Sequence, residues 1–306
     1  MEKSYHLLTI EGPFSFEHTF QRHHRTTDTL KSMIVDHEEN RFIKWIYVGE
    51  TPYLLDATIR TDNEKTEVHL NGSVDEHLKA DLRHYVRRMF GVDNPLPEFY
   101  EHMETIPRIK QLLERFHGMR IITNPDLFET MVDTIIGQQV NLKFAATLKE
   151  RLVRFAGEIK KHDGADLYLF PTAEKVAKLE YEQLRELSFS QRKSEYIIDF
   201  ARMVEREEVD LNALWSMSNQ EIIDRLLPLR GIGVWTIECL MLFGLNRRDV
   251  LPAADIGLRN AVKSLYELEE QPQTDEIRAL ASEEGWHPWE SYITFYMWQY
   301  LNTLGK

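Results

Sequence analysis

Two glycines one residue apart separate two helical patterns in the second half of the chain. Arg230-Gly231-Ile232-Gly233 is followed by the apolar segment VWTIECLMLFGL. A helix that begins just after Gly233 leaves its first backbone N–H groups without partners, and small glycines let an anion approach them closely. Thr236, in the first turn, adds a hydroxyl donor. The pattern favours a phosphate-binding site, although Gly-X-Gly between two helices is often only a tight turn.

One carboxylate, Asp255, comes after the Pro-Ala-Ala turn at 252–254 and before the apolar-patterned segment IGLRNAVKSLY. The ordinary role for an Asp at this place is the N-cap of the following helix. The other role is acid chemistry at a bound ligand. Both roles are compatible, because a cap uses one carboxylate oxygen and leaves the other free.

The elements that must position these residues are predicted to be a helix, a tight hairpin and a second helix, at about residues 220–244. EIIDRLLPL carries apolar residues on one helical face, among them Ile222 and Leu226. A dinucleotide-binding loop is excluded, because no strand precedes the glycines and position 236 carries Thr where that fingerprint needs a third Gly.

Two different patterns divide the chain at about residues 92 and 93. The first part alternates apolar and polar residues with the period of strands, and then has one helical segment, VDEHLKADLRHYVRRMF. GVDNPLPEFYE is a plausible junction, and the pattern after it is helical nearly to the end. We therefore predict an α+β fold, with a small antiparallel-sheet domain at 1–92 and an all-α region at 93–306.

The composition is that of a soluble globular protein, with 306 residues, 42% apolar and 28% charged. The sequence has no apolar run long enough to span a membrane and no signal-peptide core at its start, so a cytoplasmic protein is expected. The single cysteine, Cys239, excludes an internal disulfide and a four-cysteine metal site. The histidines, including the adjacent pair His23-His24, show no metal-ligand spacing. A net charge of −13 argues mildly against nucleic acid, but docking depends on the charge of one face.

The motif LRGIGVWT followed by LPAADIGL resembles the helix–hairpin–helix (HhH-GPD) DNA glycosylase superfamily, and within it the type II DNA-3-methyladenine glycosylases. NPDLFETMVDTIIGQQVNLKFAATL, the segment from LFPT to IIDFA and WHPWESYITFYMWQYL are similar to other helices of that branch. The resemblance implies two helical subdomains behind a small TBP-like antiparallel α/β domain. It also implies a monomer that acts on double-stranded DNA containing alkylated bases.

The resemblance assigns catalysis to Asp255. An N3- or N7-alkylated purine carries positive charge, so its glycosidic bond is already weakened. As that bond breaks the sugar becomes oxocarbenium-like, and a carboxylate beneath it stabilises the charge and orients a water. A lysine two residues after the second hairpin glycine marks the members of the superfamily that also cut the strand. Trp235 occupies that position here, so the resemblance implies base removal without strand cleavage.

The resemblance also places the residues that hold an extruded base. Gln139 falls on the residue that wedges into the duplex, and the glutamine differs from the aliphatic wedge of some relatives. Gln138, Trp235, Trp298 and Cys239 fall on base-pocket positions, where tryptophan rings stack on a cationic purine. Cys239 replaces a tyrosine found in some members, which predicts a pocket of different shape.

No catalytic cofactor is implied, although in this family the hairpin carbonyls can hold a structural monovalent cation. The alternative to an enzyme is a non-catalytic DNA-lesion-binding or regulatory protein on the same fold. The acidic charge and the change at Cys239 leave room for it, whereas Asp255 and the two tryptophans favour the glycosylase.

Overall fold

The computed structural model describes residues 4–21, 30–62 and 65–304, so the pair His23-His24 lies outside the described residues. The strands in these ranges are β1 (Ser4–Glu11), β2 (Leu30–Lys31), β3 (Ile34–Asp36), β4 (Arg41–Val48), β5 (Thr51–Asp62), β6 (Lys65–Asn71), β7 (Glu158–His162) and β8 (Ala165–Leu169). The α-helices are α1 (Phe16–Phe20), α2 (Lys79–Met89), α3 (Leu96–Met103), α4 (Pro107–Arg115), α5 (Leu127–Gly137), α6 (Leu142–Ala156), α7 (Ala173–Ala177), α8 (Tyr181–Glu186), α9 (Gln191–Glu205), α10 (Asn219–Leu226), α11 (Val234–Phe243), α12 (Ile256–Leu265), α13 (Thr274–Glu283) and α14 (Glu290–Leu304).

The N-terminal part is a five-stranded antiparallel sheet in the order β1-β6-β5-β4-β3. Its alternating pattern turns one set of side chains inward, for example Phe42 and Ile46 of β4. These pack with Phe20 of α1 and with Leu82 and Val86 of α2 in one apolar core. The predicted α+β fold, with an antiparallel sheet before a mostly helical region, is confirmed.

The helical part has a second core, built from apolar faces of the helices after the sheet. Trp286, Tyr292 and Tyr296 are among its largest fully buried side chains. α11 is buried on most of its circumference, which explains its nearly continuous apolar sequence. Among the residues that the structure describes, no helix is both long and apolar enough to cross a membrane.

The prediction that 93–306 is all-helical is wrong at one place. β7 and β8 form an antiparallel hairpin, and β2 pairs in parallel with β8 to complete a three-stranded sheet. The turn consists of Asp163 and Gly164, with φ of 47° and 77°. Asp-Gly is a strong signal for a two-residue hairpin. The charged pair Lys160-Lys161 interrupts the strand-like alternation around it and hid that signal.

A buried lysine connects the sheet to the helix that leads to the candidate site. Lys44 Nζ of β4 donates hydrogen bonds to Tyr85 Oη of α2 at 3.2 Å and to Asn124 Oδ1 at 3.1 Å. Asn124 lies just before α5, whose N-cap is Asp126. Because a buried ammonium group needs its partners, this contact fixes α5 against the sheet. A domain boundary between residues 92 and 93 stays a prediction.

Candidate active site

The first glycine of the hairpin between α10 and α11 is required by the backbone and by its neighbour. Gly231 has φ of +86°, a left-handed conformation that side chains disfavour. A Cβ placed there would lie 2.2 Å from the ring of Tyr196 on α9. The absence of a side chain at Gly231 therefore allows Tyr196 to pack directly against the hairpin backbone.

The second glycine has a different role from the first. Gly233 is the N-cap of α11, with φ of −105° and ψ of 174°, which is ordinary extended backbone. A left-handed backbone therefore requires glycine at position 231 but not at position 233. A Cβ there would meet nothing within 4 Å, and the residue is exposed. The start of α11 thus opens onto free space, as an anion-binding helix end requires.

Gln138, the C-cap of α5, holds the hairpin from inside. Its Nε2 donates to the carbonyl oxygen of Gly231 at 3.0 Å and to Oγ1 of Thr236 at 2.9 Å. Thr236 is only 2% exposed. The hydroxyl of Thr236 thus makes an internal hydrogen bond, and its contact with a phosphate stays a prediction; the hairpin backbone is the more accessible candidate for that contact.

Gln139 begins an exposed segment between α5 and α6. Its φ of +55° turns the chain sharply, and its side chain is exposed. Lys193 Nζ of α9 donates to the carbonyl of Ile136, so the end of α5 before this turn is held in place. Leu142, at the start of α6, is 71% exposed, and sequence reasoning missed it. An aliphatic residue so exposed, three residues after Gln139 in the sequence, adds apolar surface to the segment that holds the predicted wedge.

Asp255 is the N-cap of α12, which is one of the two roles expected for it. Its Oδ1 accepts a hydrogen bond from the backbone N–H of Leu258 at 2.8 Å and from Nε1 of Trp298 at 3.0 Å. Both donors reach the same oxygen. Within residues 4–21, 30–62 and 65–304, no donor hydrogen-bonds to Oδ2. One carboxylate oxygen is thus fixed by the fold while the other is available to a ligand.

Trp298, on α14, is fixed in place by its aromatic neighbours. Its ring stacks on Phe243 with centroids 5.7 Å apart and meets the ring of Phe295 edge-on at 5.3 Å. Gly257 leaves room for its contact with Asp255: a Cβ there would lie 2.9 Å from Asp255 Oδ1 and 3.1 Å from Trp298 Nε1. The hydrogen bond therefore depends on the absence of a side chain at position 257.

A second acid, Glu238, lies near Asp255, and sequence reasoning missed it. Burial and, in smaller part, the charge of Asp255 raise the pKa of Glu238 to about 7, while Arg278 opposes the shift. Cys239, the next residue, is buried, and burial raises the pKa of its thiol well above the usual range. Helical spacing was the available signal, because Glu238 follows Trp235 by three residues on one helix face.

A family model is matched by residues 132–288, and its description is HhH-GPD superfamily base excision DNA repair protein. The match covers half of the chain and includes the hairpin and Asp255. The chain belongs to the HhH-GPD superfamily.

Similar proteins support this assignment over most of the chain, including residues outside the range 132–288. A DNA-3-methyladenine glycosylase of Bacillus subtilis is 32% identical over 86% of this chain and 87% of its own length. The 3-methyladenine DNA glycosylase of Archaeoglobus fulgidus has a similar structure, with a TM-score of 0.82, 26% identity and coverage of 97% and 99% of the two chains. A Schizosaccharomyces pombe 3-methyladenine DNA glycosylase solved with abasic DNA has a TM-score of 0.56 and 25% identity, and the match covers 66% of this chain and 95% of that one.

The predicted site residues of this HhH-GPD protein fall into two groups in the structure. In the first group, Gln138 donates hydrogen bonds to the carbonyl of Gly231 in the hairpin and to the hydroxyl of Thr236. Asp255 and Trp298 form the second group and share a hydrogen bond. The charge of Asp255 contributes to the raised pKa of the Cys239 thiol. Trp235 is half-buried in the first turn of α11, which connects the two groups. Their roles in catalysis and DNA binding stay predictions.

Proposed function

We propose that this HhH-GPD protein is a monofunctional DNA glycosylase that hydrolyses the N-glycosidic bond of alkylated purines such as 3-methyladenine and 7-methylguanine. The observation that carries the proposal is the state of Asp255, whose Oδ1 is held by Trp298 and Leu258 while Oδ2 has no donor among the described residues. The names of its relatives support the alkylated-purine class.

The charged base and Asp255 each contribute to the reaction: the base is a good leaving group, and the carboxylate acts on the sugar. The bond to the cationic purine breaks with its electrons going to the base, which leaves as a neutral molecule. Positive charge then develops on the sugar, and a carboxylate oxygen near it stabilises that charge. Water adds at C1′, and its proton passes to the carboxylate. Trp298 orients the carboxylate through Oδ1, so Oδ2 is the oxygen that faces the reaction.

Access to a base inside a duplex requires extrusion of the nucleotide, at a cost of a few kcal/mol. In this proposal Gln139, with exposed Leu142 nearby in the chain, fills the vacated space. Trp235 and Trp298 hold the cationic base against their rings. The hairpin backbone around Gly233 binds the phosphate backbone and keeps the duplex in register.

The function is tested by measuring release of methylated bases from methylated duplex DNA. We expect the wild-type protein to release 3-methyladenine and 7-methylguanine and to leave intact strands with abasic sites. Tight binding to abasic-analogue DNA without any base release would instead support the non-catalytic lesion-binding protein.

No covalent complex should form when the protein, lesion DNA and borohydride are incubated together. Trapping needs an amine that forms a Schiff base with the sugar, and Trp235 has none at the position where it would be required. The measurement is denaturing gel electrophoresis of labelled DNA, with a known lyase as the positive control. A trapped species that disappears on mutation of a lysine would contradict the monofunctional assignment.

A further inference from the structure

Glu238 lies on the small part of α11 that is not enclosed by the core. Most of this helix is buried, whereas Val234, Trp235, Glu238 and Phe243 are not. Residues 235 and 238 are three apart and therefore neighbours on the helix surface. Glu238 thus shares a helix face with Trp235, a residue proposed to hold the base.

The carboxyl group of Glu238 is half-buried and has no hydrogen-bond partner among residues 4–21, 30–62 and 65–304. The charged and titratable groups that act on it are Asp255 before α12, Arg278 of α13 and the adjacent thiol of Cys239. Arg278 is exposed, so solvent weakens its attraction. The negative charge of Asp255, the proposed catalytic residue, repels an ionised Glu238.

This arrangement lowers the stability of the folded protein. The partly buried carboxyl group of Glu238 loses hydration on folding and gains no hydrogen bond in return. Packing therefore gives no reason for an acid at this position. A ligand with positive charge or a hydrogen-bond donor would supply the missing partner. The same face carries Trp235, which suits a flat cationic ring.

We propose that Glu238 is a specificity-determining residue that makes the base pocket prefer positively charged bases to neutral ones of similar shape. The inference rests on the proposed function, since it takes the space beside Trp235 and Asp255 to be the base pocket. Asp255 acts on the sugar in this scheme. Glu238 acts on the charge of the base before the bond breaks.

The preference should depend on pH with a defined sign. Burial and Asp255 together raise the pKa of Glu238 to about 7, so the group is mostly neutral at pH 6 and mostly ionised at pH 8. An ionised carboxylate attracts a cationic base, and a neutral carboxyl does not. The preference for the cationic base should therefore increase as the pH rises through 7.

The test measures binding, so that it does not depend on catalysis. The probes are two duplexes that differ at one nucleotide, with 3-methyladenine or adenine on a fluorinated sugar that resists hydrolysis. For the wild type, the ratio of the two Kd values should favour 3-methyladenine and should increase about tenfold between pH 6 and pH 8. Glu238→Gln should reduce the preference about tenfold at pH 8 and remove its pH dependence, whereas Glu238→Asp should retain that dependence.

Glu101→Gln is the matched control, because it makes the same change of charge at an exposed residue of α3. It should behave as the wild type does. An unchanged ratio and pH profile in Glu238→Gln would overturn the inference. Base release is measured separately on methylated DNA: if the wild type releases none, the proposed function fails, while the Kd ratios still report whether Glu238 reads the charge of the base.

Discussion

Replacing Asp255 with Asn should lower the single-turnover rate of base release by about three orders of magnitude. Asn keeps an oxygen that can accept from Leu258 and Trp298, and it is also a good N-cap residue. The substitution therefore removes the negative charge and leaves the local structure in place. Affinity for abasic-analogue DNA should stay within several-fold of the wild-type value, because the carboxylate acts on the sugar and not on docking of the duplex.

Asp255→Ala is the companion variant that separates charge from structure. It loses the cap as well, so its free energy of unfolding should fall by about 1 kcal/mol, while that of Asp255→Asn should not. Base release is followed by chromatography of the liberated base, and unfolding by denaturant titration. Near wild-type base release by Asp255→Asn would show that this carboxylate is not the catalytic group.

The second large effect is a contrast between the two hairpin glycines. Gly231→Val should lower the free energy of unfolding by about 2–5 kcal/mol, because it combines a left-handed backbone with a clash against Tyr196. Gly233→Val should change that free energy by only about 1 kcal/mol, since its backbone is extended and its Cβ meets open space. Yet it should weaken DNA binding by about 10- to 100-fold, because the new side chain fills the space proposed for a phosphate.

The measurements for this pair are denaturant unfolding and the anisotropy of a labelled duplex with an abasic analogue. Each variant serves as the control for the other, because the substitution is the same and the two sites are two residues apart. If Gly233→Val binds DNA as tightly as the wild type does, the hairpin is a turn with no part in docking.

The sequence predicted well the elements whose patterns are local. Period-two alternation indicated the N-terminal sheet, and the apolar helical segments indicated the helices on either side of Gly231 and Gly233. The role of Asp255 as an N-cap also followed from the sequence, because capping depends on neighbours only a few residues away. These features need little information about distant parts of the chain.

Contacts between distant segments were not predictable in the same way. The burial of Thr236 depends on Gln138, which lies nearly a hundred residues earlier in the sequence. The difference between Gly231 and Gly233 depends on Tyr196 of α9 and on backbone angles that the motif alone does not specify. Glu238 resembled any polar residue in an apolar helix, and its proximity to Asp255 required the fold.

Gly257 has a consequence for how this active site can change by mutation. Glycine has no side chain that could take part in catalysis, yet an added methyl group at this position would lie 2.9 Å from Asp255 Oδ1 and 3.1 Å from Trp298 Nε1, so the carboxylate or the indole ring would have to shift. The hairpin that is proposed to dock DNA is a separate structure and would be left untouched. We therefore expect a small substitution at position 257 to reduce the proposed catalysis while leaving the binding of damaged DNA in place.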